Sequence, residues 1–226
     1  MTITVIIPTL NESSIIAQTI RHTAALGFDQ IIVVDGGSRD QTRAVAEQLG
    51  LAQVHDSEPG RGQQLNAGAQ KSRYDILLFL HADTQLPDTA RASIESALAD
   101  MAVIGGRFDV RFDSHSVWAF IISRFMNIRS RLTRISTGDQ AMFIRRTIFE
   151  QLGGFSDIPL MEDIELSSRL KRVGPTVALR DTVTTSFRRW EQQGPVKTIL
   201  LMWAIRFLYW MGVKPHRLQK LYATIR

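Results

Sequence analysis

The feature that most constrains the fold is a repeated alternation of short apolar runs with longer stretches patterned like helices. Ile3–Ile7 precedes Ser13–Leu26, Gln30–Val34 precedes Arg39–Leu49, and Ile76–Leu80 precedes Asp88–Leu98. Alternation of this kind predicts a parallel sheet with crossover helices. The second helix is the best marked, with Ser38 and Gln41 at capping-box spacing before it and Gly50 after it. Ligands of such sheets bind beyond the carboxyl ends of the strands, so polar residues directly after each apolar run are the site candidates.

After Met101 the rhythm changes. Val103–Phe112 reads as a strand, Ser114–Ile135 as a long helix and Ala141–Arg145 as another strand, which predicts a second, smaller sub-region. No repeat, low-complexity stretch or Pro/Gly linker divides the chain into independent domains. Its 226 residues, 44% hydrophobic and 22% charged, fit one soluble domain with an extension. The absence of cysteine excludes disulfides and thiolate metal sites, leaving oxygen and imidazole ligands and favouring a hard cation such as Mg²⁺ or Mn²⁺.

Four segments gather polar residues after predicted strands: Pro8-Thr9-Leu10-Asn11-Glu12, Asp35-Gly36-Gly37-Ser38-Arg39-Asp40, Arg61 through Gly68, and His81-Ala82-Asp83-Thr84. A parallel sheet brings all four to one edge. Taken singly, Asp35-Gly36-Gly37-Ser38 reads equally as a tight strand-to-helix turn. Further along, Glu162, Asp163 and Glu165 open a helical pattern, where acids are favoured by the helix dipole whatever their function.

Together these segments resemble the nucleotide-sugar-binding half of family 2 glycosyltransferases. The resemblance rests on Val5 through Glu12, Val33 through Asp40, His81-Ala82-Asp83, Gly138 through Arg146 with Gly153-Gly154-Phe155, Glu162-Asp163, and Ser186-Phe187-Arg188-Arg189-Trp190. It implies the GT-A fold, a Rossmann-like α/β architecture with a mixed, mainly parallel sheet flanked by helices. Residues 1–100 would form the nucleotide-sugar half, 101–190 the acceptor and catalytic half, and 191–226 an apolar, basic helical extension.

By this resemblance Pro8, Thr9, Asn11 and Glu12 lie near the nucleoside. Asp35, with Gly36, accepts from base or ribose, and the Arg61 loop with Asn66 approaches the diphosphate. Ala82 and Asp83 belong to the metal and donor site, Asp83 being the metal ligand for Mg²⁺ or Mn²⁺, and Gly138 and Asp139 sit beside the donor sugar. Asp163, paired with Glu162, is the catalytic base of inverting members. Arg188, Arg189 and Trp190 face the acceptor and diphosphate, as the processive QXXRW segment does. Two acids common in the family are absent, since Gly36 and His81 stand in their places. The motif set is most similar to the selenodomain-associated, or arsenosugar-biosynthesis, subgroup. For Arg145 and Arg146 a solvated or phosphate-facing role is expected.

The formal charge of +5 is unevenly spread: from Arg188 onward eight Lys/Arg face one acid, leaving residues 1–187 at about −2. Residues 196–213 are apolar almost all round, yet Arg206 near the centre opposes a membrane span. Two readings stay open for this tail, burial against the domain or a partner subunit in a homo-oligomer, and a position in the membrane interface. The stripe Trp118, Ile121, Ile122, Phe125, Ile128 or Arg129, and Leu132 adds a second candidate for membrane contact or core packing over residues 115–135. The N-terminus resembles a first strand and not a signal peptide, which predicts a cytoplasmic location, at the inner face of the membrane if these helices touch lipid.

The expected function is metal-dependent, non-processive glycosyl transfer from a nucleotide-diphosphate sugar to a hydroxyl of a lipid-linked or small acceptor. A catalytically inactive nucleotide-binding scaffold and a sugar nucleotidyltransferase are the alternatives. The latter opens with a glycine-rich basic loop where this chain has Pro8-Thr9-Leu10-Asn11-Glu12. Nucleic acid is not expected, because the basic excess lies on an apolar helix without an RNA-binding aromatic signature.

Overall fold

The structure, a computed structural model, describes residues 1–223. Residues 224–226 and the side chains of Arg189 and Ala223 lie outside that description. The sheet is built from β1 (Ile3–Thr9), β2 (Gln30–Asp35), β3 (Gln53–Asp56), β4 (Ile76–Phe79), β5 (Thr84–Gln85), β6 (Gly105–Phe112), β7 (Phe143–Arg145) and β8 (Thr176–Thr185). The helices are α1 (Ile16–Ala25), α2 (Thr42–Gln48), α3 (Arg61–Lys71), α4 (Ala90–Ala97), α5 (Val117–Thr133), α6 (Arg146–Gln151), α7 (Glu162–Val173), α8 (Arg188–Gln193), α9 (Pro195–Trp210) and α10 (Pro215–Ala223).

The strands form one mixed sheet in the order β3-β2-β1-β4-β7-β6-β8-β5. The first four run parallel, as the alternation predicts, and β7 turns the sheet by pairing antiparallel with β4 on one side and β6 on the other. β1 and β2 are apolar on both faces because helices cover both. Val5, Ile7, Ile31 and Val33 join the core that includes Ile16 and Ile20 of α1 and Ile94 of α4. Ile6, Ile32 and Val34 point the other way, into a core with Leu65, Leu166 and Leu170 of α3 and α7.

Several local expectations are corrected. Ser38 caps no helix: α2 begins at Thr42, whose amide and hydroxyl are held by Asp40, while the Ser38 hydroxyl accepts from the Asn11 amide. Arg61 through Gly68 is not a loop but the first two turns of α3. Strands β3, β5 and β8 were not legible, because β3 and β5 are short and β8 carries arginine, aspartate and four threonines. Arg145 opposes Ile76 at the start of β4, the edge away from the strand ends of β1, β2 and β4, and donates to the carbonyls of Val103 and Leu98. Arg146 likewise donates to the Ser72 carbonyl, so both arginines pin loops at that end of the sheet.

Helix α5 buries Ala119, Ile122, Ser123 and Ser130. The apolar stripe, read as either membrane contact or core packing, mostly faces outward, with Trp118, Phe125, Ile128 and Leu132 exposed. Helix α9 is anchored on one side: Ile205 and, from α10, Leu218 pack with Met161 against the turn before α7. Its remaining surface exposes Leu200, Trp203, Phe207 and Trp210. Among the described residues no helix is long and apolar enough to cross a membrane.

Helix α3 packs closely on β1, where a Cβ on Gly68 would lie 2.4 Å from Ile6 Cγ2. Overpacking of this kind costs about 1–3 kcal/mol. Gly68→Ala is expected to lower the urea midpoint accordingly, with an unchanged m-value; an unchanged midpoint would show that α3 can back away freely.

Candidate active site

The parallel strands deliver their carboxyl ends to one edge, with Thr9 beside Asp35 and Asp35 beside Asp56. The loops that follow are zipped together by their own polar groups. Asn11, held at φ 55°, donates its amide to Ser38 Oγ and accepts from the Arg39 amide at Oδ1. The Glu12 amide donates to Thr42 Oγ1. Asp35 is 2% exposed and accepts from the Gly37 and Ser38 amides at 3.0 and 2.7 Å. Thr9 is buried, and its carbonyl accepts from the Gly36 amide and from Gln64 Nε2.

The glycine at 36 has a packing reason. Gln64, buried on α3, donates Nε2 to the Thr9 and Val34 carbonyls, and a Cβ on Gly36 would meet its amide at 2.9–3.0 Å. The side-chain amide thus takes the room that a residue larger than glycine would need.

A second group converges from α3, the β4 end and the second half of the chain. Arg61, the first residue of α3, pairs with Glu162 at 3.2 Å. Glu162 and Asp163 open α7 behind Met161, whose φ of 72° is a conformation few non-glycine residues adopt. Both carboxylates are buried, at 4% and 8% exposure, so they do more than decorate a helix terminus. Asp163 Oδ2 accepts from the Gly138 amide at 2.8 Å. His81 Nδ1 lies 3.2 Å from Asp139, while its Nε2 is buried without a partner. Gly138 sits between these groups: a Cβ there would lie 1.4 Å from an Arg61 Nη atom and 2.4 Å from His81 Nε2. The missing Cβ leaves room for the Arg61 and His81 side chains, while the Gly138 amide binds Asp163.

The electrostatics follow from this crowding. Burial opposes the charge on Arg61, but Glu162, Asp163 and Asp139 outweigh it and raise its pKa. Burial, the largest influence, pushes the Glu162 carboxyl up; Arg61 opposes it and Asp163 adds to it. Glu165, third of the sequence-predicted carboxylates, is used elsewhere. It pairs with Arg169 and accepts from Ser156, fixing the loop before α7.

The other sequence candidates fall into two classes. Asp83 follows β4 half-buried, with no hydrogen bond or ion pair to a described residue, and Ala82 is buried with its carbonyl accepting from Thr19. Asn66 does not join the cluster: its amide donates to the Phe155 carbonyl and accepts from the Phe155 amide, clamping the glycine turn at 153–154. Pro8 pairs with Val34 inside the sheet. Arg188 reaches Glu12 at 3.7 Å, bridging the two halves, whereas Trp190 stacks on Phe187 at 6.2 Å and meets Phe112 edge-on. The Arg189 side chain lies outside the described residues. Among the described residues no three His, Asp or Glu side chains gather as a ready-made metal cage.

Sequence reasoning missed Gln64, Arg129 and Arg206 as site residues. Arg129 of α5 and Arg206 of α9 both lie close enough to Asp163 and Asp139 for those carboxylates to favour their charge. Their only sequence signal was a cation inside an apolar helix.

The family profile for glycosyl transferase family 2 matches residues 4–153, which is well over half of the chain. The chain belongs to glycosyl transferase family 2. It is 26% identical over 220 residues to the probable glycosyltransferase YdaM of Bacillus subtilis (strain 168), covering 84% of this chain and 50% of that protein. It is 32% identical over 167 residues to the undecaprenyl-phosphate 4-deoxy-4-formamido-L-arabinose transferase of Pseudomonas paraeruginosa, covering 66% of this chain and 49% of that protein. The chain thus spans about half the length of these relatives.

Among solved structures, S. aureus TarS (1–349) superposes with a TM-score of 0.64 at 16% identity, over 92% of this chain and 66% of that one. Glucosyl-3-phosphoglycerate synthase from Mycobacterium tuberculosis, in complex with Mn²⁺, UDP and glucosyl-3-phosphoglycerate, superposes at 0.60 with 20% identity, over 80% and 70%. The fold of the family 2 chain is accordingly GT-A, as the motifs implied.

Because burial and Asp163 both disfavour ionised Glu162, a ¹³C NMR titration of its carboxyl should give a pKa above the ordinary value of about 4.3. Removing the opposing guanidinium in Arg61→Met should move it higher still. A downward move would mean that the Arg61–Glu162 pair does not form in solution.

Proposed function

We propose that this family 2 glycosyltransferase transfers a sugar from a nucleoside-diphosphate donor to an acceptor hydroxyl, non-processively and with inversion. The observation that carries this reading is the placement of Asp163, buried, held at Oδ2 by the Gly138 amide and flanked by Arg61 and His81. A carboxylate fixed in this way retains lone pairs for a further proton, which suits a general base. Asp163 takes the proton of the acceptor hydroxyl, whose oxygen attacks the anomeric carbon. The bond from that carbon to the diphosphate breaks, and the nucleoside diphosphate leaves with the electron pair.

The donor's nucleoside occupies the edge formed by Pro8, Thr9, Asn11, Glu12, Asp35 and Gly36, with the sugar near Gly138 and Asp139. Arg61 favours the diphosphate, its charge maintained by the surrounding carboxylates. Arg188 and Arg189 serve the leaving group. Asp83, next to Ala82 and without a partner among the described residues, would hold Mg²⁺ or Mn²⁺ together with phosphate oxygens, since such ions use few protein carboxylates. The ion would neutralise charge on the leaving diphosphate. Support comes from the synthase complexes, which contain UDP with Mn²⁺ or Mg²⁺.

The selenodomain-associated subgroup reading rests on the motifs around Asp35, His81 and Arg188 alone. The exposed apolar faces of α5 and α9 fit a peripheral membrane contact at the cytoplasmic face, with a second copy of the chain as the competing partner. Light scattering across a concentration series separates the two, because only self-association raises the mass.

The test is thermal unfolding with UDP, GDP, CDP, dTDP and ADP, each with and without Mn²⁺ or Mg²⁺. One nucleotide at a hundred times its Kd should add about 2.7 kcal/mol of stability. That shift should require metal and vanish in Asp83→Ala. Asp163→Asn should keep the shift and lose turnover by at least about a hundredfold. No shift with any nucleotide would sink the donor-site reading, and wild-type turnover in Asp163→Asn would remove the base.

A further inference from the structure

Arg129 of α5 and Arg206 of α9 are partly buried arginines that the donor site does not use. The guanidiniums of Arg129 and Arg206 make no hydrogen bond or ion pair with a described residue, and Arg129 Nη2 and Arg206 Nε are buried without a partner. Buried guanidinium nitrogens left unsatisfied are costly, and these two also repel each other. Burial and the neighbouring Arg206 push the Arg129 pKa down to about 10. Asp163 and Asp139 are the carboxylates nearest in influence to both, yet neither forms an ion pair with them. The two cations lie within electrostatic reach of the proposed base from the second half of the chain, whereas Arg61 comes from α3 and pairs with Glu162.

The surroundings of these arginines are apolar. Phe125 and Leu132 stand four residues before and three after Arg129, and Trp203 and Trp210 stand three before and four after Arg206, positions that share a helix face. All four are exposed, by 65%, 80%, 67% and 78%. Paired cations at the inner end of an apolar surface match one ligand shape, an anionic head on a hydrocarbon body. Arginine forks suit a phosphate in particular.

We propose that Arg129 and Arg206 form the headgroup subsite for an acceptor that is an anionic phospholipid, its phosphate held by the two guanidiniums and its chains lying along α5 and α9. The phosphate is a handle and not the nucleophile; a hydroxyl of the same headgroup gives its proton to Asp163. This rests on the glycosyl-transfer reading and names its acceptor class.

The experiment is co-sedimentation with vesicles of phosphatidylglycerol and phosphatidylcholine, and with phosphatidylcholine alone, beside the nucleotide thermal shift on the same samples. Wild type should bind only the mixed vesicles. Arg129→Gln/Arg206→Gln should lose affinity about tenfold or more while keeping its nucleotide shift, and Lys197→Gln/Lys214→Gln should lose less. Urea unfolding of each variant checks that the fold survives. Equal losses in both double variants would mean diffuse surface attraction and overturn the subsite. Loss of the nucleotide shift in the Arg129/Arg206 variant would assign the pair to the donor diphosphate instead. Stabilisation by sn-glycerol 1-phosphate without vesicle binding would replace the lipid by a soluble phosphate. A wild-type nucleotide shift without vesicle binding would refute this inference alone, whereas absence of any nucleotide shift would refute the glycosyl-transfer reading.

Discussion

Gly138 is the point on which the candidate site depends, because two side chains from separate elements use the space that its missing Cβ leaves and a third accepts its amide. Arg61 comes from the start of α3, His81 from the end of β4, and Asp163 from the start of α7, which also accepts the Gly138 amide. The Arg61–Glu162 pair closes the same junction from the other side. These contacts join the first half of the chain to the second, so the geometry of the proposed base and of the proposed donor edge are set by one set of interactions. A buried carboxylate pair would be expensive to hold ionised on its own. The cations around it offset that cost and keep the region charged and polar inside an otherwise apolar domain.

The remainder of the architecture protects this junction. Gln64 reaches under Gly36 to bond the Thr9 and Val34 carbonyls, locking the ends of β1 and β2 to α3. Asn66, two residues further along α3, clamps the glycine turn before α7, and Glu165 with Arg169 fixes the same loop. One short helix thus supplies an active-site cation and two structural amides. Helices α9 and α10 then pack Ile205 and Leu218 on Met161, directly behind Glu162. The tail is consequently part of the support of the turn before α7 and not a detached appendage. Its exposed face remains available for contact with another molecule.

Much of this was legible in the residues. The first half of the sheet followed from apolar runs in regular alternation, and the placement of polar segments after those runs located the site edge. Glu162 and Asp163 were also identifiable, although a helix-dipole role explained them equally well until their burial was known. The failures have local causes. Ser38 has a capping residue's chemistry, but Asn11 and Asp35 claim it for the loop. Arg61 through Gly68 has two glycines and many polar residues, so its helical state depends on packing Leu65 and Gly68 against β1 and the adjacent core. β8 carries too few apolar residues to announce itself as a strand.

The sequence by itself determined the alternating α/β order, the family motifs, the lack of thiol chemistry and the concentration of positive charge at the C-terminal end, because these depend on residue type and spacing along the chain. Only the tertiary structure decided which polar residues meet. It separated Glu165 and Asn66, used up in loop contacts, from Asp163 and Asp83. It also turned Arg129 and Arg206 inward from helices whose composition marked them only as apolar. The reason is that charge pairing and burial depend on distances between segments far apart in sequence, and those distances exist only once β7 has turned the sheet and brought α5, α7 and α9 to the edge where β1, β2 and β4 end.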